Sequence, residues 1–267
     1  FGNVSLNVYP LVSYRRVKMQ NEMGSLRIVV LESPYDTWHV PQTENLFRDL
    51  IGIKLRGYGL QYPYGVLPVD GADLISTHLL LCRETGEKLQ PLMGARWTSM
   101  SKCQSHFLNF PGLSLVQQAG SVDHVQAIEA VMQSARERKS ELWYMGSFTI
   151  DPKERGDKAL SVFYREVLTL MFVRYQQEMA PSELLAGGTV RFKMDNYIRD
   201  MGHQCLQKNG VDLGPIHVKH LAGEDVLVMH LKNFSFAALQ TARKWDQLWS
   251  ERLVISASSH GGIQKVA

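Results

Sequence analysis

Strand-like and helix-like segments alternate along this chain, which predicts an α/β fold: a central mixed β-sheet flanked by helices, with a C-terminal helix. Two observations carry that expectation. The first is a pair of β-rich runs, 74–82 and 89–100, separated by Arg83-Glu-Thr-Gly-Glu87, which read as a hairpin with Gly86 in the bend. The second is a strand at 142–150 that ends at Asp151-Pro152, passes through a short turn carrying Arg155-Gly156, and runs at once into the longest helical pattern, 158–179. A strand-to-helix turn of this kind aims several backbone N–H groups at one spot, which suits a phosphate. The composition is that of an ordinary globular chain, with 45% hydrophobic and 21% charged residues among 267.

The remaining elements come in order. Leu26 to Leu31 reads as a strand, followed by a Pro-bearing loop over 33–41. A helix begins at Thr43, with Leu46, Phe47, Leu50 and Ile51 at helical spacing, and Gly57 and Gly59 are expected to end it. The Gly-, Tyr- and Pro-rich stretch 57–71 is expected as a structured loop, and Tyr58 to Tyr64 within it could close over a ligand tunnel or simply anchor the loop. On the returning strand Gly94 is a candidate bulge, and 101–120 reads as irregular. Ser121 or Asp123 caps a helix through about Lys139. After Pro181 come a strand over 184–190, a short helix over about 192–206 broken near Gly202, a hairpin of 216–221 and 225–231, a helix over 235–253 and a frayed tail. Without a repeat or a low-complexity linker, 1–267 is expected as one domain, with 1–40 an N-terminal extension and 235–267 the C-terminal helix and tail.

A net charge of +3 and a pI near 8.7 are too mild to argue for nucleic acid, yet would favour an anionic cofactor or acidic carrier. No apolar run approaches a membrane span, and Phe1 to Pro10 lack the basic start and apolar core of a signal peptide. Cys82, Cys103 and Cys205 have no metal or disulfide spacing, so no metal is expected and a cytoplasmic setting is.

The order of elements, with the turn Lys153-Glu-Arg-Gly-Asp-Lys158, resembles the GNAT acyltransferase superfamily. That resemblance implies a GNAT-like central mixed sheet, splayed after its fourth strand, with the pantetheine arm of acyl-CoA or acyl carrier protein in the split and its pyrophosphate on the turn. Gly156 matches the first glycine of the family's turn pattern and Lys153 replaces its usual Gln or Arg conservatively in charge, whereas Lys158 stands where a small residue is usual. Either the fit is offset by one, using Ala159, or the pyrophosphate is held differently, and Asp157 adds a negative charge nearby. Phe148, Thr149, Ile150, Lys153, Arg155, Gly156, Asp157, Lys158 and Ala159 are the implied thioester-binding residues. Arg48, Lys54 and Arg56 on the first helix, the Tyr-rich loop, Asp70 and Asp73 before the strand that holds His78, and Arg96 closing Gly94-Ala95-Arg96 further resemble the branch of N-acyl amino acid synthases and acyl-homoserine-lactone synthases. The similarity spans roughly 44–206.

The resemblance implies amide formation: an amine, an amino acid or similar small molecule, attacks the thioester directly. A small-group acetyltransferase, and a non-catalytic thioester-binding or protein-interaction chain, are the alternatives. Tyr197 would be the acid that protonates the thiolate, with Tyr144 and Ser147 as lesser candidates, and Glu141, Asp73, His78 and His106 are candidate bases. Arg48, Arg56, Arg96 and Tyr144 would bind the acceptor, the arginines by pairing with a carboxylate. The apolar stripe from Phe236 to Leu253 would pack on the sheet, or serve as a lid, a homodimer face or a carrier contact.

Overall fold

The computed structural model describes residues 25–62, 65–180, 182–258 and 264–265. The expectations for Phe1 to Pro10, Tyr64 and Pro181 lie outside those residues. In chain order the elements are β1 (Leu26–Glu32), α1 (Pro34–Thr37), α2 (Pro41–Gln61), α3 (Ala72–Ile75), β2 (Thr77–Thr85), β3 (Lys88–Ser99), α4 (Met100–Ser105), α5 (Pro111–Gln118), α6 (Val122–Glu137) and β4 (Glu141–Ile150). They continue with α7 (Lys158–Glu178), β5 (Ser182–Thr189), α8 (Met194–Asp200), β6 (Gln204–Cys205), β7 (Gln207–Lys208), β8 (Val211–Asp212), β9 (Ile216–Val218), β10 (Glu224–Leu231), α9 (Phe236–Lys244), α10 (Asp246–Ser250), β11 (Leu253–Ile255) and β12 (Gln264–Lys265).

The main sheet runs β12-β11-β1-β2-β3-β4-β5-β10-β6, with β9 beside β10. It is mixed: β4 lies parallel to β5 and β1 parallel to β11, while the other pairs are antiparallel. The long helix α7 covers one face, where Phe163, Val167, Leu168, Met171 and Phe172 pack with Leu79, Leu81, Trp97 and Met145. On the other face α2 lies over β3 and β4, its Leu46, Leu50 and Ile53 clustering with Val29 and Leu31 of β1 and Leu80 of β2, and α5 and α6 cover β4, β5 and β10 through Leu115, Val116 and Ile128. Burial of these two layers is the main driving force, at about 25 cal/mol per Å² of apolar surface.

Several expectations are corrected. The helix α2 starts at Pro41, which pre-sets the first turn, and continues through Gly57 and Gly59 to Gln61. Gly57 is there for clearance, since a Cβ would lie 2.8 Å from Thr149 Oγ1 and 2.9 Å from an Arg155 nitrogen. Residues 101–120 are not irregular: Ser99 caps α4, and Pro111 opens α5. The strand expected from Leu74 starts at Thr77, after the turn of α3. The C-terminal helix breaks at Trp245, whose indole donates to Glu166, and Leu253 becomes strand by pairing with β1. The tail is not wholly frayed, because β12 pairs with β11. The bulge near Gly94 places its extra residue on β4 at Ser147.

Candidate functional site

The pairing of β4 with β5 runs from Glu141–Ser182 to Met145–Ala186 and then stops. Beyond that point β4 stays with β3, where Gly146 faces Arg96 and Thr149 faces Gly94, and β5 stays with β10, where Gly187 faces Val228. The sheet therefore splays, as the resemblance implies. Ser147 sits at the parting with φ of 52°, a left-handed conformation that costs a non-glycine residue about 1–3 kcal/mol. The bulge bends β4 away and leaves its 146–150 edge unpaired toward β5.

A cleft of about 730 Å³ fills the split and opens to both layers. Gly146 to Ile150 line it from β4 and Gly187 and Thr189 from β5, with Phe172 and Ile198 on one side and Tyr58, Arg96 and the first turns of α5 on the other. Arg155 reaches it from the turn, its guanidinium donating to the Ile150 carbonyl at 2.8 and 3.0 Å. A second, open recess lies at the start of α7, lined by Gly156, Asp157, Lys158, Ala159 and Val162. Gly156 has φ of 101°, which an L-residue adopts only under strain. Asp157 caps this helix: its Oδ1 accepts from the backbone N–H groups of Ala159 at 2.7 Å and Leu160 at 3.1 Å. Two of the N–H groups expected for a phosphate are thus already bound. Lys153 gives its backbone N–H to Asp151, which also takes Arg56 at 2.6 Å. Lys153 and Lys158 are exposed.

On the α2 side of the cleft lies a buried charge cluster. Lys54 Nζ donates to Asp73 Oδ1 at 2.6 Å, and neither side chain is more than 1% exposed. Arg96 lies 3.0 Å from the same oxygen and donates to Asp70 at 2.7 and 3.3 Å. The Asp70 N–H donates to Asp73 Oδ2. Burial alone would raise the Asp73 pKa, but Arg96 and Lys54 outweigh it and hold it down to about 2. The cluster is formally neutral and Arg96 is committed within it, so Asp70 is its solvent-facing member.

The other expected residues take varied places. Tyr197 is buried, its hydroxyl donating to the Arg165 carbonyl at 3.0 Å and lying 2.8 Å from Thr169 Oγ1, and it is not among the residues that line the cleft. His78 is buried against Phe47 and donates Nε2 to the Asp73 carbonyl at 2.7 Å; burial pulls its pKa down to about 4. It braces the Asp70–Asp73 turn. His106 stacks edge-on against Tyr35, and Arg48 is exposed and bonded to Asn45, both away from the cleft lining. Tyr144 lines the cleft; burial pushes its phenol up to about 12 and so keeps it protonated. Sequence reasoning missed the α5 wall and the strain at Ser147, whereas Tyr58, expected in a loop over a ligand tunnel, does line the cleft from the end of α2. Only Pro111 before Leu115 and Val116 could have flagged α5, as a helix start.

Among solved structures this chain is similar to FeeM, an N-acyl amino acid synthase from uncultured soil microbes, at 15% identity and a TM-score of 0.44, covering 77% of this chain and 89% of that one. It is also similar to the CoA-dependent acyl-homoserine lactone synthase BjaI, solved with SAM and isopentyl-CoA (13%, 0.45, 86% and 92%), and to an acyl-CoA N-acyltransferase from Pseudomonas aeruginosa (12%, 0.43, 78% and 99%). No protein-family profile matches the chain, and no curated protein matches its sequence.

Proposed function

We propose that this protein is an N-acyltransferase that moves an acyl group from an acyl-CoA or acyl-carrier-protein thioester to an amine. The observation that carries the reading is the split beyond Met145 and Ala186, bulged at Ser147 and continuous with the turn at Arg155. In this reading the pantetheine arm lies along the unpaired edge of β4, whose Phe148, Thr149 and Ile150 bear amides that can hold the thioester carbonyl as charge develops on it. The pyrophosphate lies in the recess of Gly156, Asp157, Lys158 and Ala159, with Lys153 and Lys158 supplying positive charge and Asp157 opposing it. The acceptor, an amino acid or similar small molecule, enters from the side of Tyr58 and Arg96, and its ammonium pairs with the outer carboxylate of Asp70. Attack is direct, since no cysteine lines the cleft among the described residues. The acceptor loses a proton to become the free amine, its nitrogen bonds to the thioester carbonyl carbon, the C–S bond breaks, and the thiolate takes a proton and leaves as the thiol.

The test is thermal unfolding with acetyl-CoA, a long-chain acyl-CoA and acyl carrier protein. A true ligand at a hundred times its Kd stabilises by about 2.7 kcal/mol. Failure of all three to raise the melting temperature removes the proposal. Gly156→Trp should abolish the shift, and unchanged affinity would take the turn out of the site. A second reading, thioester binding without catalysis, is favoured by one observation, the Asp157 carboxylate seated on the N–H groups of α7. Release of CoA thiol in the presence of an amine panel separates the two.

A further inference from the structure

Tyr144 stands one residue before the strands part, opposite Thr98 on β3 and Leu185 on β5. Glycines from three different elements surround its ring. A Cβ on Gly112 of α5 would lie 2.9 Å from Cδ2, one on Gly146 of β4 would lie 3.0 Å from Cε1, and one on Gly187 of β5 would lie 2.8 Å from the hydroxyl. None of the three has a positive φ, so the backbone does not call for glycine there. Clearance for this one ring does. Phe110 fixes it from the side, edge-on at 6.2 Å. At Gly187 the phenol meets two apolar side chains, since the same Cβ position is 3.1 Å from Val226 and 3.3 Å from Leu115. Leu115, Val226 and Gly187 all line the cleft. Tyr144 is only 8% exposed, and it too is among the residues that line the cleft.

We propose that Tyr144 is the stop that sets acyl chain length: the chain enters between β4 and β5 and ends against the phenol, Leu115 and Val226 over Gly187. This rests on the thioester reading above and narrows its donor to chains that end at this ring. The apolar walls suit a hydrocarbon end, and a methyl group added at any of the three glycines would have to displace the ring.

The experiment is affinity, by calorimetry and thermal shift, for acetyl-, butyryl-, octanoyl- and myristoyl-CoA with the native protein, Tyr144→Ala and Gly187→Ala. Tyr144→Ala opens the space that the three glycines border, and should move the preferred chain longer, with a gain of about tenfold for every two methylenes newly buried. Gly187→Ala should move it shorter, and it keeps the test alive where the larger truncation fails to fold. An unchanged rank order of chain lengths in both variants, with thioesters still bound, overturns the stop but leaves the thioester reading standing. No binding of any thioester by the native protein overturns both.

Discussion

The two edges of β4 are built on opposite plans. Toward β3 the strand is paired from Trp143 to Ile150, interrupted only by the bulge, and α2 clamps that seam through Lys54, Asp73 and Arg96. Toward β5 the pairing ends at Met145, and the rest of that edge borders an open cleft. In the proposed reading stability resides on the first edge and ligand chemistry on the second. Strain such as that at Ser147 is tolerable because the neighbouring seam over-determines the fold. Changes on the β3 side should therefore act on unfolding, and changes on the β5 side on binding.

The largest expected effect is on the closed side. Asp73→Ala leaves Lys54 and Arg96 as buried charges short of a partner and should cost about 3–5 kcal/mol, read as a fall in the urea midpoint. A loss near zero would mean that the cluster does not clamp the seam.

Acid comes next. The His78 pKa is depressed to about 4 from 6.5, so the unfolded chain takes up a proton that the fold refuses, and stability falls as pH drops from 6.5 to 4. The Asp73 pKa is depressed to about 2 from 3.8, so its contribution is complete above pH 4 and is lost as pH falls toward 2. Each step amounts to about 2–3 kcal/mol. Unfolding monitored at a series of pH values should show both, and His78→Gln should remove only the upper one.

Gly94→Ala should cost about 1–3 kcal/mol by overpacking, because the new methyl meets Leu80 at 2.7 Å and Leu50 at 3.0 Å beneath α2. A neutral result in the melting curve would show that α2 can shift and that the closed edge is softer than described.

The smallest effect on stability is expected on the open side, and it sharpens the contrast. Asp157→Ala removes the cap of α7 and should cost about 1 kcal/mol. It also frees two N–H groups and removes a negative charge, so CoA should bind more tightly, as titration calorimetry would show. Weaker binding would mean that the carboxylate holds the turn in its receptive shape.

Elements with strong periodicity are legible in the sequence. The hairpin around Gly86, the strand before Asp151 and the helix from Lys158 stand close to where their patterns put them. The approximate place of the cleft is legible too, because a strand that runs at once into a capped helix carries its own local marks. The hidden features depend on tertiary contact. Nothing in Met145-Gly-Ser-Phe148 announces that the serine and not the glycine takes the left-handed turn, since β3 imposes it. The pairing of Lys54 with Asp73 joins two elements that sequence alone does not bring together. Tyr197 lies on a helix of the expected kind, but its hydroxyl is captured by Thr169 and Arg165 on α7, a neighbour that spacing cannot reveal. The helical stripe through Trp249 and Leu253 is overridden because β1 offers an edge to pair with.

That edge has a consequence for synthesis. The hydrophobic strand β1 leaves the ribosome long before the strand that covers its outer side, β11, which joins Leu253 to Val29 and is made only near the end of the described chain. Throughout that interval β1 presents an unpaired, apolar flank, the kind of surface on which nascent chains aggregate. Slow translation or scarce chaperone should therefore depress soluble yield, and a chain ended at Lys244 should accumulate as inclusion bodies even though every residue lining the cleft has been made.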